Sequence, residues 1–328
     1  MIIITGGAGF IGSHLVRELE ARGKPDLVVC DLLGTDDKWK NIAKRELADV
    51  LPPDDLAEFL NDNAADIETV FHMGAVSTTT ERDADLIVRS NIRLSLDLWK
   101  WCTANDTTMI FASSAATYGD GTQGFEDDDT IDGLAQLRPQ NAYGWSKHAF
   151  DRRITRIVSE NGPCPPHWAG LKFFNVYGPN EYHKDSMISV ALKNFREIRK
   201  TGKALLFRSH NPNYPDGGQK RDFVWVEDCV DIALWLAENP SSQGIFNVGT
   251  GQARTFEDLT RAVFSSMGMD ANIDFVDTPE AIRDQYQYFT EANMTRLRAA
   301  GYGRPATSLE DGIERYVREY LMSEDPYA

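Results

Sequence analysis

Cysteine is scarce in this chain. Four residues in 328, Cys30, Cys102, Cys164 and Cys229, lie far apart with no C-x-x-C spacing. That excludes a disulfide framework or a zinc knuckle and leaves buried or bystander thiols. The six histidines form no H-E-x-x-H and no ligand cluster, so no metal site is expected. Basic residues are outnumbered, 34 Lys and Arg against 50 Asp and Glu, for a formal charge of -16. Such a surface repels phosphate polyanions and anionic membranes, which excludes a general nucleic-acid binder, although a local basic pocket can still hold a small phosphorylated ligand. No run approaches the roughly 18 apolar residues of a membrane span. No basic segment or cleavage site precedes Ile2, Ile3 and Ile4, so the cytoplasm is the expected compartment.

With 42% hydrophobic and 26% charged residues, the chain can bury a sizeable core. Its length calls for one large fold or two joined lobes. Short apolar runs alternate with helical patterns in the first half. Ile2 to Thr5 reads as a buried strand and Ser13 to Arg22 as a helix. Further strands are expected at Leu27 to Asp31, Thr69 to Ala75, Thr108 to Ala112 and Leu171 to Val176, with helices around Asp54 to Leu60 and Asn91 to Thr103. Right-handed crossovers make this an α/β chain with a Rossmann-type doubly wound parallel sheet. Past Tyr143 the alternation loosens. Glu181 to Lys200 reads as a loop and a long helix, His210 to Lys220 as a surface loop or flap, and the acidic run Glu126 to Asp129 as a solvated loop.

Gly6, Gly9 and Gly12 recur at three-residue intervals where the first strand hands over to the first helix. Such glycines permit a tight turn and let backbone approach a pyrophosphate, while the helix N-terminus offers free N–H groups to the anion. Asp31 ends the second strand 19 residues after Gly12, where a carboxylate accepts hydrogen bonds from the adenosine ribose and favours NAD. Lys38, seven residues on, can instead neutralise a 2'-phosphate, so these residues do not rank NAD against NADP. Met73, Gly74 and Ala75 offer small side chains beneath a cofactor, or plain packing.

Tyr143 and Lys147 stand four apart, on one face of a helix. A phenol is a poor base at neutral pH unless a neighbouring cation favours the phenolate, and Lys147 is placed to be that cation. Ser114 follows a strand and can hydrogen-bond the hydroxyl that Tyr143 deprotonates.

These motifs resemble the extended short-chain dehydrogenase/reductases that act on nucleotide-linked sugars. Within that superfamily the chain is most similar to the ADP-L-glycero-D-manno-heptose 6-epimerases. The similarity runs over nearly the whole chain, through MIIITGGAGFIGSH, ASSAATYG, FFNVYGPNEYHKDSM, RDFVWVEDC, GIFNVGTGQARTF and YQYFTEANMTRLRAAGY. It implies transient oxidation of the sugar at C6'' to a ketone and hydride return to the opposite face, supplying heptose for the lipopolysaccharide inner core. Tyr143, Lys147 and Ser114 then form one catalytic group, and Lys184 matches the family's second acid–base; by itself Lys184 reads as a loop lysine or a phosphate contact. Phe10, Ile11, Leu32, the segment Met73, Gly74, Ala75, Val76, Ser77, and Asn91, Val176 and Lys184 match cofactor positions, with NADP expected and NAD possible. Asn175, Ser186, Lys193, Phe207, Arg221 and Tyr286 match positions that contact an ADP-heptose substrate, and the guanidinium fork of Arg221 suits a diphosphate. Leu32, Pro53 and Met73, the connection Pro163 to Pro166 and the long loop before Lys220 depart from the family pattern. A homo-oligomer, commonly pentameric in the family, is also implied. The resemblance divides the chain into a dinucleotide-binding domain, 1–173 with returning segments near 220–250 and 285–298, and a smaller α/β substrate-binding domain, 174–219, 251–284 and 299–328.

A nucleotide-sugar dehydratase normally carries an Asp-Glu pair directly after the catalytic serine. Ala115 and Ala116 stand there instead. A UDP-sugar 4-epimerase shares the Ser and Tyr-x-x-x-Lys arrangement, and Lys184 with the heptose-like segments decides against it. A catalytically silent dinucleotide-binding regulator would not need Ser114, Tyr143 and Lys147 together.

Overall fold

A computed structural model describes residues 1–283 and 287–328. Strand β1 (Ile2–Thr5) is fully buried, as its unbroken apolar run requires of a strand covered on both faces. It pairs in parallel with β2 (Leu27–Cys30) and β4 (Thr69–His72). With β3 (Asp49–Leu51), β5 (Thr108–Ser114), β6 (Trp168–Phe173) and β10 (Gly244–Val248), these make a seven-stranded parallel sheet of order β10-β6-β5-β4-β1-β2-β3. The order reverses between β1 and β4. A crevice therefore opens at their carboxyl ends, where such folds bind ligands.

The chain leaves this sheet at Phe174. Its N–H donates to the Val248 carbonyl, and the Val176 N–H turns back on the Phe174 carbonyl. Leu171 to Val176 is therefore two strands, not one. β7 (Asn175–Tyr177) joins β9 (Lys220–Trp225) and β11 (Ala253–Thr255) in a second sheet, and β8 (Ala204–Phe207) pairs with β12 (Ile273–Val276). A smaller apolar core gathers there around Phe195, Trp225, Phe264 and Tyr316. β9 is the seam between the two cores: Phe223 and Trp225 point into the smaller and Val224 into the larger, as strand alternation demands. Cys30, Cys102 and Cys229 are buried free thiols and Cys164 is partly exposed. Among the described residues, no helix is long and apolar enough to cross a membrane.

The acidic run Glu126 to Asp129 departs from the solvated loop expected of it. Asp127 is 6% exposed and accepts from the Asn247 N–H, while Asp129 accepts from the Ile245 N–H and from Arg296. Every second carboxylate thus covers the open edge of β10, which would otherwise present unpaired backbone donors. Asn247 completes the closure. Its amide accepts from the Tyr118 hydroxyl at 2.6 Å and donates to the carbonyls of Phe125 at 2.8 Å and Asn293 at 3.0 Å. Asn247→Ala strands these three buried groups and should lower stability by about 3 kcal/mol in urea denaturation. A loss below about 1 kcal/mol would mean that water replaces the amide.

Candidate active site

Two loops meet at the switch point. Gly6 has φ +66°, and a Cβ there would lie 2.6 Å from the Gly74 nitrogen. A Cβ on Gly12 would lie 2.1 Å from the Gly6 carbonyl oxygen. The helix Phe10–Ala21 starts at Gly9 with no side-chain cap, so its first N–H groups face the crevice. Ala8 N–H donates to Asp31 Oδ2 at 3.0 Å, and Lys38 Nζ donates to Asp31 Oδ1 at 2.6 Å and to the Leu32 carbonyl at 3.0 Å. The carboxylate and the amine therefore occupy one spot, with Leu32 exposed beside them.

The second loop, Met73 to Ser77, is pinned from behind. Met73 and Gly74 N–H groups donate to the Thr5 carbonyl and hydroxyl. Asn91 is wholly buried; its amide exchanges two hydrogen bonds with the Val76 backbone and donates to Ser146 Oγ at 3.0 Å. Asn91 thus lies behind this loop and holds Val76 in place. It sits in a π-helical stretch, Val88–Arg93, whose widened turn releases the backbone for such contacts.

The helix Ala142–Ser159 is capped by Asn141, whose side chain accepts from the Gly144 N–H at 2.8 Å. Gly144 lets the helix pack on the Ser114 turn: a Cβ there would be 2.7 Å from the Ala116 carbonyl oxygen. Tyr143 lies beside Ser114, whose side chain favours its phenolate. Lys147, 2% exposed, donates to the Ala112 carbonyl at 2.8 Å. Burial lowers the Lys147 ammonium to about 8 against the opposing pull of Asp151. Tyr143 differs from the simple expectation. Burial, and then Asp151, hold its phenol above the ordinary value, and only Ser114 works the other way.

Lys184 reaches the same crevice from the other lobe, its Nζ 5.1 Å from the centre of the Phe10 ring. Burial lowers its pKa, Lys193 adds to this, and Glu181 opposes it. The loop that carries Lys184 is stitched to the dinucleotide turn by groups that local sequence patterns do not reveal. Asn41 donates to the carbonyls of Ala8 and Asn180 and contacts His183 Nδ1, Asn180 donates to Ser13, and His14 bonds the Pro179 carbonyl. Asn180 holds a left-handed backbone, φ +68°, which asparagine tolerates best after glycine.

Of the remaining candidates, Val176, Phe207 and Arg221 are partly buried, whereas Asn175, Ser186 and Lys193 are exposed. Arg221 lies on β9, not in a loop, with its guanidinium 5.5 Å from the Phe256 ring centre. Tyr286 lies outside the described residues. A cavity of about 910 Å³ opens elsewhere, between Phe125, Phe289, Met294 and Arg298, and contains none of these groups.

Residues 2–249 match the model of the NAD dependent epimerase/dehydratase family. Over the full length of both chains, the sequence is 49% identical to an ADP-L-glycero-D-manno-heptose-6-epimerase of Nitratidesulfovibrio vulgaris and 44% identical to one of Fusobacterium nucleatum. The chain belongs to the ADP-L-glycero-D-manno-heptose-6-epimerase family. The crystal structure of the Helicobacter pylori member has a TM-score of 0.79 at 26% identity, covering 97% of this chain and 95% of that one. The Thermus thermophilus UDP-glucose 4-epimerase complex with NAD has a TM-score of 0.72 at 25% identity, covering 95% and 96%. A nicotinamide dinucleotide is the cofactor of this epimerase family, and the glycine cradle fits it, because the space a Cβ would fill at Gly6 and Gly12 is already backbone. Gly12→Ala should abolish dinucleotide retention, read as loss of nicotinamide fluorescence quenching or of mass after denaturation. Full retention would show that the turn does not carry the pyrophosphate.

Proposed function

We propose that the protein interconverts ADP-D-glycero-D-manno-heptose and ADP-L-glycero-D-manno-heptose by inverting C6''. What supports this reading is the placing of Tyr143 beside Ser114 and of Lys184 Nζ over the ring of Phe10 in the dinucleotide turn. A nicotinamide dinucleotide held by the Gly6 to Gly12 turn would supply a hydride acceptor and donor for C6''. Tyr143 takes the C6'' hydroxyl proton in one epimer, with Ser114 orienting that oxygen and Lys147 supplying positive charge beside it. Lys184 does the same for the opposite orientation. Its burial makes the neutral amine easier to reach, which a base requires. Arg221 is assigned to the substrate diphosphate, and Asn175, Ser186, Lys193, Phe207 and Tyr286 to the rest of the ADP-sugar. The family resemblance supports these assignments, the division into a dinucleotide and a substrate domain, and a cytoplasmic homo-oligomer.

Tyr143→Phe and Lys184→Ala should each slow epimerisation about 100-fold or more while the fold and bound dinucleotide survive. The measurement is NMR of the two ADP-heptose epimers. Near-normal turnover in both variants, or turnover of UDP-glucose alone by the wild type, would overturn the assignment.

NADP is the preferred cofactor in this reading, because Lys38 sits against Asp31 and can exchange that carboxylate for a 2'-phosphate. Lys38→Ala should then weaken NADP about 10-fold more than NAD. Equal losses in a binding titration would show that Lys38 does not read the phosphate.

A further inference from the structure

A buried ion pair lies behind the Tyr143 helix. Asp151 is two turns beyond Tyr143 and one beyond Lys147 on the same helical face. Its Oδ2 stands 3.0 Å from Lys172 Nζ on β6, and the two side chains are 0% and 1% exposed. Removing two opposite charges from water costs more than their attraction returns unless further hydrogen bonds complete both shells, and apolar residues often fill such a space as stably. Here the shell is incomplete: Asp151 Oδ1 has no hydrogen-bond partner among the described residues. Stability is therefore a poor reason for the pair.

Its contacts point to the Ser114 turn. Ser113 Oγ donates to Asp151 Oδ2 at 2.7 Å, and Lys172 Nζ donates to Thr117 Oγ1 at 2.6 Å. Thr117 Oγ1 donates in turn to the Ser114 carbonyl at 2.8 Å. Ser114 is thus gripped from both sides, by Asp151 through Ser113 and by Lys172 through Thr117. Lys147, whose ammonium donates to the Ala112 carbonyl, anchors the same strand end to the same helix.

We propose that Asp151 and Lys172 are positioning residues for Ser114, Tyr143 and Lys147: together they lock the Ser114 turn to the Tyr143 helix, and the Asp151 carboxylate is the fixed charge behind that helix. The proposal rests on the acid–base reading of Tyr143 given above. Asp151 is the charge that acts on both groups, favouring the ammonium of Lys147 and disfavouring the phenolate of Tyr143. The other titratable neighbours are His72 from β4, His148 from the same helix and Tyr118 from the turn. Burial, and then Lys147, keep His72 near 3; burial, and then Lys172, keep His148 near 4. Burial and Asp127 raise Tyr118 far above neutrality. These three are neutral at physiological pH, so the field at Tyr143 and Lys147 is that of Asp151.

The test compares the wild type with Asp151→Asn and with the double variant Asp151→Asn/Lys172→Met, all in the full chain. The single variant leaves Lys172 without a counter-charge and risks the fold, whereas the double variant removes both charges at similar volume. Two readouts are taken: the pH dependence of ADP-heptose epimerisation, and the phenolate absorbance of Tyr143 in cofactor-free protein, isolated by subtracting each background carrying Tyr143→Phe. Without the Asp151 charge, the limb of the rate profile that reports Tyr143 and the phenolate titration should both move to lower pH by about one unit. Thermal stability of the double variant should stay near that of the wild type. A folded double variant with an unmoved profile and titration overturns the proposal, because a purely structural pair would change melting alone. If the wild type does not epimerise ADP-heptose, the functional reading fails separately and the phenolate titration decides this inference.

Discussion

The close approach of two backbone turns at the ends of β1 and β4 is the constraint on which the rest of the molecule depends. Gly6 and Gly74 stand so near that a Cβ on the first would lie 2.6 Å from the nitrogen of the second. This contact brings the helix N-terminus at Gly9 and the Met73 to Ser77 loop to one crevice. Everything else in the site is held relative to that crevice. Asn91 holds Val76, Asn41 and Asn180 hold the Lys184 loop, and Gly144 lets the Tyr143 helix settle on the Ser114 turn. A side chain at any of these small positions would move a functional group rather than merely loosen the core.

Five of the seven strands of the central sheet were legible because they are short, largely apolar runs covered on both faces, whereas β3 and β10 were not expected. β1 and β2 lie where the pattern places them to within a residue. The break at Phe174 was not legible. Nothing in FFNVYG marks a change of sheet, which is set by the Phe174 bond to Val248, a residue 74 positions away. The acidic run Glu126 to Asp129 misled for the same reason, since its burial depends on the distant open edge of β10. Among functional groups, Tyr143, Lys147 and Ser114 have local signatures. Asn41 and Lys172 have none, because their partners Asn180 and Asp151 are far away in the chain. Asp151 alone leaves a trace, as the third residue of a four-residue spacing that begins at Tyr143.

In the proposed reading Tyr143 and Lys184 must keep a fixed separation, yet they belong to parts of the chain with separate apolar cores. The Lys184 loop bonds to both: Glu181 accepts from Ser189 and Tyr316 on the side of the smaller core, and the backbone of Pro179 and Asn180 is held by groups of the larger. Asn41 reaches it from the first lobe with a single amide shared between Ala8 and Asn180, and His14 takes the Pro179 carbonyl. A buried amide without these partners would cost about 1–3 kcal/mol, so polar satisfaction against the first lobe adds to the apolar packing of Ile188 and Tyr182 in the second.

Electrostatics add a second kind of order. The chain carries -16 overall, yet Lys147 and Lys184 are both at least partly buried. Burial lowers the pKa of Lys147 and of Lys184, and in each case an acid opposes the shift, Asp151 for the first and Glu181 for the second. Glu181 is itself fully buried and accepts from Ser189 and Tyr316, which fixes it where Lys184 needs it. The two lysines are thus tuned by the same device, desolvation against one fixed carboxylate.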